Sequence, residues 1–338
     1  MKTAITLPSF KAVATGAASL FAIASFATGQ TVTVPTPLLF WDFNSSTGNT
    51  VASTGSETMD LTMYRPDPDV PSTRQEANML GGAGSGVSGA AGDRALDFSG
   101  ATGMGKDNGY GGAAVGGYLA DVPGFDGAIS MTIAGWYYTT KIQIGGDAQI
   151  INMSDAQKGG FRLVGQSGGG RLGVYNFVGS PPEGGGTNRY VASFFSSSSP
   201  RNYSAVGEWV FFAFTIDSSG TDTVMSYYYG SADGEVKLDS TTSVANIGGH
   251  TASFTKDLTL GNYSGNGTTY PFQGLMDNIG LWASTTNGSG ALTLQQLEAL
   301  RVSQIPEPGA GALIGAAGLL LLGRALASRR KPGARPAV

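Results

Sequence analysis

The sequence contains no cysteine and only one histidine, His250, among its 338 residues. Without cysteine the chain cannot form a disulfide framework, a thiolate metal site or a cysteine nucleophile. With one imidazole it cannot build a metal site from several histidines, and a Ser-His-Asp arrangement would depend on His250 alone. No Gly-x-Ser-x-Gly turn precedes a helical segment, so we interpret His250 as a polar loop residue.

Charged residues are also scarce, at 13% of the sequence, and they are unevenly placed. Seven of the 20 basic residues lie near the two ends: Lys2, Lys11, Arg324, Arg329, Arg330, Lys331 and Arg335. The region between Lys11 and Arg324 therefore holds 13 basic residues against 24 acidic ones. Because phosphate binding requires clustered lysine and arginine, this acidic region argues against nucleic acid, and we expect no nucleic-acid partner.

Glycine, by contrast, is abundant, with 53 residues, and it supplies the positive φ angles of tight turns. Short runs rich in aromatic and β-branched residues recur between Gly, Asn, Asp and Ser, a pattern typical of strands in a sandwich or barrel. These runs are 38–43, 94–100, 130–140, 148–153, 160–165, 171–178, 208–217, 222–230, 257–263 and 272–282. The sequence therefore predicts an all-β fold.

One helix is predicted, in the segment "LTLQQLEALRV". Thr293 as N-cap with Gln296 three residues later forms a capping box, and Leu294, Leu297 and Leu300 fall on one face. We expect this helix to pack at the edge of the sandwich. Two ranges rich in Gly, Ser and Pro, 50–93 and 179–205, are expected to be long loops.

Both ends have the composition of targeting segments. Residues 1–27 combine Lys2 and Lys11 with an apolar run and a small-x-small site, the layout of a secretory signal peptide. Near the other end, an apolar segment at 309–327 is followed by a basic end, 324–338, whose cluster is Arg324, Arg329, Arg330 and Lys331. By the positive-inside rule, this predicts a transmembrane helix with the rest of the chain outside the cytoplasm.

The C-terminal segment 304–338 resembles the PEP-CTERM sorting signal of Gram-negative bacteria. The resemblance rests on Pro306, Glu307 and Pro308, then the Gly/Ala/Leu helix, then the arginines. It implies processing by an exosortase-type enzyme, transient anchoring in the cytoplasmic membrane, and delivery to the cell envelope, cell surface or extracellular matrix. A permanent tail anchor is the alternative, and it too places the globular part outside the cytoplasmic membrane.

The region 28–303 resembles a LamG-like, concanavalin A-like domain. The resemblance rests on the order of "RALDFSG", "SMTIAGWYYTT", "GEWVFFAFTIDSSG", "LTLGNYSGNGTTYPFQGLMDNIGLW" and the leucine helix. It implies a jelly roll of two antiparallel sheets, and the ranges 50–93 and 179–205 are insertions relative to that family.

The resemblance also raises the question of catalysis, because related folds include glycosidases. Such enzymes place paired carboxylates on one strand, as in E-x-D-x-x-E, and this chain has no such run. The nearest pair, Glu235 and Asp239, is better explained as solvated charge on a hairpin edge. We therefore expect no catalytic residues.

Calcium is the cofactor that the resemblance implies, because LamG-like domains hold it at a sandwich rim. The implied ligands are Asp277 in "GLMDNIGLW", Asp42 in the first strand and the amide of Asn278. Calcium prefers such oxygen ligands and needs neither histidine nor cysteine. The alternative for Asp277 is a structural hydrogen bond at a strand end or bulge.

The ligand-binding residues cannot be assigned from the sequence. Aromatic residues that could stack on a sugar, among them Tyr227, Tyr228 and Tyr229, are in a sandwich more often packing residues. The expected function is an exported, non-catalytic, lectin-like protein that binds extracellular polysaccharide. The alternatives are a glycan hydrolase or lyase on the same fold, and a structural or adhesive matrix component.

Overall fold

The computed structural model describes residues 32–66, 74–99, 113–115, 127–140, 148–152, 160–165, 172–178, 191–196, 206–245, 258–261 and 272–305. The chain divides into two units, 1–32 and 33–338, and the strands and the helix all belong to the second. The expected signal peptide 1–27, the Pro306–Pro308 motif, the apolar segment 309–327 and the basic end all lie outside the described residues. Within the described residues, no helix has the length and apolar character needed to span a membrane.

The described residues form sixteen strands and one α-helix. The strands are β1 (Leu39–Trp41), β2 (Thr50–Val51), β3 (Leu61–Pro66), β4 (Arg74–Glu76), β5 (Leu96–Asp97), β6 (Ala113–Val115), β7 (Ser130–Thr139), β8 (Ala148–Asn152), β9 (Gly160–Gly165), β10 (Leu172–Val178), β11 (Val191–Ser196), β12 (Trp209–Asp217), β13 (Asp222–Ser231), β14 (Lys237–Ala245), β15 (Thr259–Leu260) and β16 (Gly274–Ser284). The helix, α1, is Leu294–Gln304.

The strands pair antiparallel into two sheets. The seven-stranded sheet, which we call the inner sheet, has the order β1-β16-β7-β12-β13-β14, and β5 also pairs with β16. The nine-stranded sheet, the outer sheet, has the order β11-β10-β9-β8-β15-β6-β3-β2, with β4 paired to β3. The prediction of an all-β fold built from two antiparallel sheets is confirmed.

A hydrophobic core fills the space between the two sheets. Strand β12 illustrates how it forms, because alternate residues of a strand point to opposite faces. Phe212 and Phe214 are 1% exposed and belong to this core, together with Tyr227 from β13. The outer sheet contributes Leu61 and Leu163, both fully buried.

The other face of the inner sheet is also buried, against α1. Phe211 of β12 and Trp136 of β7 pack edge to face on this side, with ring centroids 5.3 Å apart. They form a second apolar cluster with Leu297 and Leu300 of α1. The molecule therefore has three layers at this point, and the inner sheet lies in the middle.

Helix α1 begins as its sequence predicts. The Thr293 hydroxyl accepts the Gln296 N–H at 3.3 Å, and the Gln296 side chain accepts the Thr293 N–H at 2.9 Å. The capping box is confirmed. The expected apolar face is correct for Leu297 and Leu300, which are buried, whereas Leu294 is 37% exposed. The position of the helix differs from the expectation, because it covers the middle strands of the inner sheet and not its edge.

The two ranges expected to be loops contain strands. Within 50–93 lie β2, β3 and β4, and within 179–205 lies β11. Strands β2 and β3 extend the outer sheet next to β6, and β11 forms its other end by pairing with β10. The Gly and Ser residues around these strands made both ranges resemble loops. The strands form because β-propensity depends strongly on the neighbours against which a residue packs.

Candidate functional site

A pocket of about 630 Å³ lies where four parts of the chain meet. These are the end of β1, the loop 85–93, the middle of β16 and the last turn of α1. Its polar lining includes Asp42, Asn44, Ser88, Asp93, Asn278, Ser303 and Gln304. Its apolar side chains are Phe40, Ala90, Leu300 and Ile305. A volume of this size lies within the roughly 300–1,000 Å³ of small-molecule sites.

A β-bulge in β16 positions two of the residues at this site. Asp277 pairs with Trp136 and Gly280 pairs with Ala134, so β16 carries one residue more than β7 over this stretch. Asn278 occupies the bulge with φ +51°, a conformation that asparagine tolerates better than most residues. The bulge turns Asn278 to the pocket, while Asp277 is fully buried behind it.

The buried Asp277 carboxyl holds the loop 85–93 against the sheet. Its Oδ2 accepts the Val87 N–H at 2.8 Å, whereas its Oδ1 has no hydrogen-bond partner. Burial raises the pKa of Asp277 to about 8, and the charges of Asp93 and Asp42 add to this, whereas the backbone N–H groups of Val87 and, more weakly, Asn278 oppose it. Asp277 is therefore mainly a neutral carboxylic acid at pH 7.

Asp93 shapes the same loop from its other end. Its Oδ2 accepts the Ser88 N–H at 2.7 Å, and its backbone carbonyl accepts the Gly84 N–H at 2.9 Å. A side chain at Gly86 would collide with the Asp93 carboxylate, so this position requires glycine. The Gly/Ser-rich composition of the loop thus allows the backbone to close around one carboxylate.

The end of β1 forms another part of the pocket lining. The Asp42 Oδ1 accepts the Asn44 N–H at 3.1 Å, and the Asn44 Oδ1 accepts the Arg94 N–H at 3.1 Å. Between them, Phe43 has φ +54° and its side chain is fully buried. A bulky residue seldom adopts this conformation, and its burial in the main core holds it there.

The last turn of α1 closes the third side. The Gln304 Oε1 accepts the Trp136 indole N–H at 2.8 Å, whereas the Gln304 Nε2 is buried without a partner. Arg301 faces away from the pocket, because its guanidinium donates to Glu298 at 2.7 Å and to the Ser231 carbonyl at 2.9 Å. This pairing fixes the C-terminal half of the helix.

The residues expected to bind calcium are brought together in part. Asp42 and Asn278 line the pocket, and Asp277 lies behind them. Among the described residues, however, no three acidic or histidine side chains are grouped so that they could hold a metal ion. Calcium takes about six to eight oxygen ligands, but here N–H donors occupy an oxygen of Asp42, Asp93 and Asp277. This arrangement does not fit a calcium site centred on Asp277.

The other described residues considered in the sequence analysis do not line the pocket. Tyr227 is buried in the main core, and Tyr228 packs against the second apolar cluster, so both are packing residues. Asp239 lies on β14 and Glu235 just before it, in the hairpin at the end of the inner sheet, as expected. His250 lies outside the described residues.

Sequence reasoning did not find Phe40, Asp93 or Gln304 as members of the site. The only available signal for Asp93 was its place at the end of the segment "GGAGSGVSGAAGD". Gln304 looked like an ordinary residue at the end of a helix. No local pattern indicates that these residues share a pocket, because they come from three distant parts of the chain.

No protein-family model and no curated protein matches the sequence. Solved structures give matches. A heptameric SAP-like pentraxin from Limulus polyphemus is 14% identical over 52% of this chain and 70% of its own, with a TM-score of 0.34. The CBM40 domain of the Ruminococcus gnavus IT-sialidase, bound to α2,6 sialyllactose, is 16% identical over 56% of this chain and 93% of its own, with a TM-score of 0.36.

A third match is a structure from work on botulinum neurotoxin type C and its interaction with two ganglioside molecules. It is 15% identical over 80% of this chain and 51% of its own, with a TM-score of 0.46. All three scores are low, so the two-sheet architecture rests on the strand pairing observed in this chain.

Proposed function

We propose that this chain is an exported, non-catalytic glycan-binding protein and that the pocket between β1, the loop 85–93, β16 and α1 is its binding site. The observation that carries the proposal is the pocket lining, which combines the half-buried Phe40 ring with the side chains of Asp42, Asn44 and Asn278. An aromatic ring offers an apolar surface to the C–H face of a sugar. Carboxylate and amide groups accept and donate hydrogen bonds with hydroxyl groups.

Binding is favoured over hydrolysis by the state of the carboxyl groups around the pocket. A glycosidase needs two carboxyl groups that both reach the bond to be cleaved. Asp277 has the raised pKa of a general acid, but it is fully buried and cannot contact a substrate. Asp93 and Asp42 each use an oxygen to hold a neighbouring backbone N–H. The second oxygen of each lining carboxylate remains available to a hydroxyl or amine group of a ligand, and no buried general acid among the described residues reaches the same point.

The proposal includes the route to the cell surface. The sequence pattern of 1–27 and 304–338 supports export, transient membrane anchoring and exosortase-type processing at Pro306–Pro308 in a Gram-negative bacterium. Replacing Glu307 by Ala in the full chain tests this step. We expect the wild-type protein to lose its tail and leave the membrane fraction, and E307A to stay there at full mass. Equal mass and location for both chains would contradict processing at this motif.

The binding site is tested with the full-length protein in mild detergent on a glycan array that includes bacterial exopolysaccharides. We expect binding to one class of glycan, and we expect Phe40→Ala to weaken it by about tenfold, because loss of one stacking contact costs roughly 1–1.5 kcal/mol. Leu238→Ala is the matched control, since Leu238 is 50% exposed on β14, away from the pocket.

Two outcomes would overturn the proposal. The first is the absence of binding to every glycan by a protein that unfolds cooperatively. It would leave a structural or adhesive matrix role. The second is binding that Phe40→Ala and Leu238→Ala weaken equally, which would place the site elsewhere.

A further inference from the structure

Every charged side chain that lines the pocket within the described residues is acidic. Asp42 and Asp93 both line it. The cation nearest in the helix, Arg301, is committed to Glu298 through contacts of 2.7 and 2.9 Å. Arg94 follows Asp93 in sequence but is not part of the lining. Among the residues that the structure describes, the pocket therefore presents negative charge without a positive side chain in its lining.

A third acidic group lies directly behind this lining. Asp277 is fully buried next to Asn278, and its Oδ1 has no hydrogen-bond partner. Burial is the main reason that the pKa of Asp277 is raised, and the nearby Asp93 and Asp42 add to it. A positive charge placed in the pocket would be attracted to Asp42 and Asp93, the two carboxyl groups that line it, whereas the protonated Asp277 behind them adds no charge.

The size and chemistry of the pocket decide what kind of cation it suits. A volume of about 630 Å³ is far larger than a single ion requires. No group of three acidic or histidine side chains that could hold a metal ion is found among the described residues. An ammonium group needs few acceptors, and a sugar ring attached to it would fill the remaining space against Phe40 and Leu300.

We propose that the ligand is an oligosaccharide containing an amino sugar with a free, protonated amine, which binds at the lining carboxylates Asp42 and Asp93. This inference rests on the glycan-binding function proposed above and narrows it. The same lining disfavours uronic acids and other anionic sugars, because it would place like charges together. N-acetylation removes the positive charge, so an acetylated sugar loses the attraction while keeping its shape.

The test compares three oligosaccharides of equal length by calorimetry with the full-length protein in mild detergent at pH 6. They are built from glucosamine, N-acetylglucosamine and a uronic acid. We expect the glucosamine oligomer to bind at least about tenfold more tightly than the acetylated one, since a charged hydrogen bond contributes roughly 1.5–3 kcal/mol. The uronic acid oligomer should not bind, and added sodium chloride should weaken glucosamine binding.

A pair of variants tests the position of the amine. Asp42→Asn keeps an oxygen that can accept the Asn44 N–H but removes the charge, and we expect it to remove most of the preference for glucosamine. Asp60→Asn removes a charge from an exposed position outside the pocket lining and should leave that preference unchanged.

The outcomes separate the two proposals. Equal or tighter binding of the N-acetylglucosamine oligomer would overturn the amino-sugar inference and leave glycan binding intact. Equal losses in Asp42→Asn and Asp60→Asn would also overturn it, because the attraction would then belong to the whole acidic surface. If none of the three sugars binds and the glycan array is blank as well, the glycan-binding function fails, and the inference with it.

Discussion

At the scale of single residues, Asp277 shows how position changes the chemistry of a side chain. A carboxyl group whose ordinary pKa is 3.8 has a pKa of about 8 at this position, chiefly because it is buried. The Val87 N–H binds one of its oxygens and the other has no partner. From the sequence, Asp277 was considered either as a calcium ligand or as the acceptor of a structural hydrogen bond at a strand end or bulge. The structure shows a hydrogen bond from Val87 to Asp277 beside the bulge in β16.

The raised pKa of Asp277 makes the free energy of unfolding depend on pH. The folded state keeps the Asp277 proton between pH 3.8 and about 8, whereas the unfolded state releases it. The contribution of this group is fully present below pH 3.8 and is lost as the pH rises through about 8. Asp277→Asn has no proton to lose, so we expect it to be more stable than the wild type at pH 9.

Urea unfolding of both chains at pH 5, 7 and 9 measures this difference, which should grow by up to about 1.4 kcal/mol for each pH unit within the window. Asp60→Asn, at an exposed position, is the control. A constant difference between wild type and Asp277→Asn across the series would contradict the assignment of a protonated carboxyl group.

Asn278 gives a second residue-scale prediction, because its backbone has φ +51°. Glycine adopts this conformation freely, whereas a β-branched residue is strained there. We expect Asn278→Gly to keep the thermal stability within about 0.5 kcal/mol and Asn278→Val to lose roughly 1–3 kcal/mol. Thermal unfolding followed by circular dichroism measures both, and equal effects would mean that the bulge does not constrain this position.

At the scale of elements, the signals that predicted secondary structure were local. Strands β7, β12, β13 and β16 have apolar and aromatic runs, and they lie where the sequence predicted them. Strand β14 was not predicted, because "KLDSTTSVA" lacks an apolar run and lies at the end of the inner sheet. A strand at that position has few buried side chains, so hydrophobic patterning cannot detect it.

The start of α1 offers the element-scale prediction. Thr293→Ala removes the hydroxyl that accepts the Gln296 N–H, and we expect a loss of about 1 kcal/mol in the free energy of unfolding. Thr293→Ser retains the hydroxyl and should keep most of the stability. Chemical denaturation measures both variants. A Ser variant as unstable as the Ala variant would show that the Thr293 methyl group, and not the cap, stabilises the helix.

At the scale of the whole molecule, the pocket exists because three layers meet. Helix α1 covers the inner sheet through Leu297 and Leu300, and the loop 85–93 is fastened beside it by Val87. The acidic groups of the site thus come from β1, the loop and β16. These contacts form an open pocket of ligand size, with no cluster of metal ligands among the described residues.

The response to calcium is the prediction at this scale. A ligand that binds only the folded state raises the melting temperature. Because the described residues do not fit a calcium site, we expect the melting temperature to be the same with excess calcium chloride and with chelator. Magnesium chloride at equal ionic strength is the control. A rise specific to calcium would show that the chain gathers further oxygen ligands around the ion.

The sequence by itself determined the all-β class, most of the long strands, the capping box and the exclusion of cysteine and multi-histidine chemistry. These depend on composition and on patterns that repeat within a few residues. Only the tertiary structure decided that α1 covers the inner sheet, that Asp277 is neutral, and that Asp42 shares a pocket with Asp93. The reason is physical: the deciding contacts, such as Val87 to Asp277 and Trp136 to Gln304, join residues 190 and 168 positions apart, and burial at such contacts sets both the pocket and the pKa.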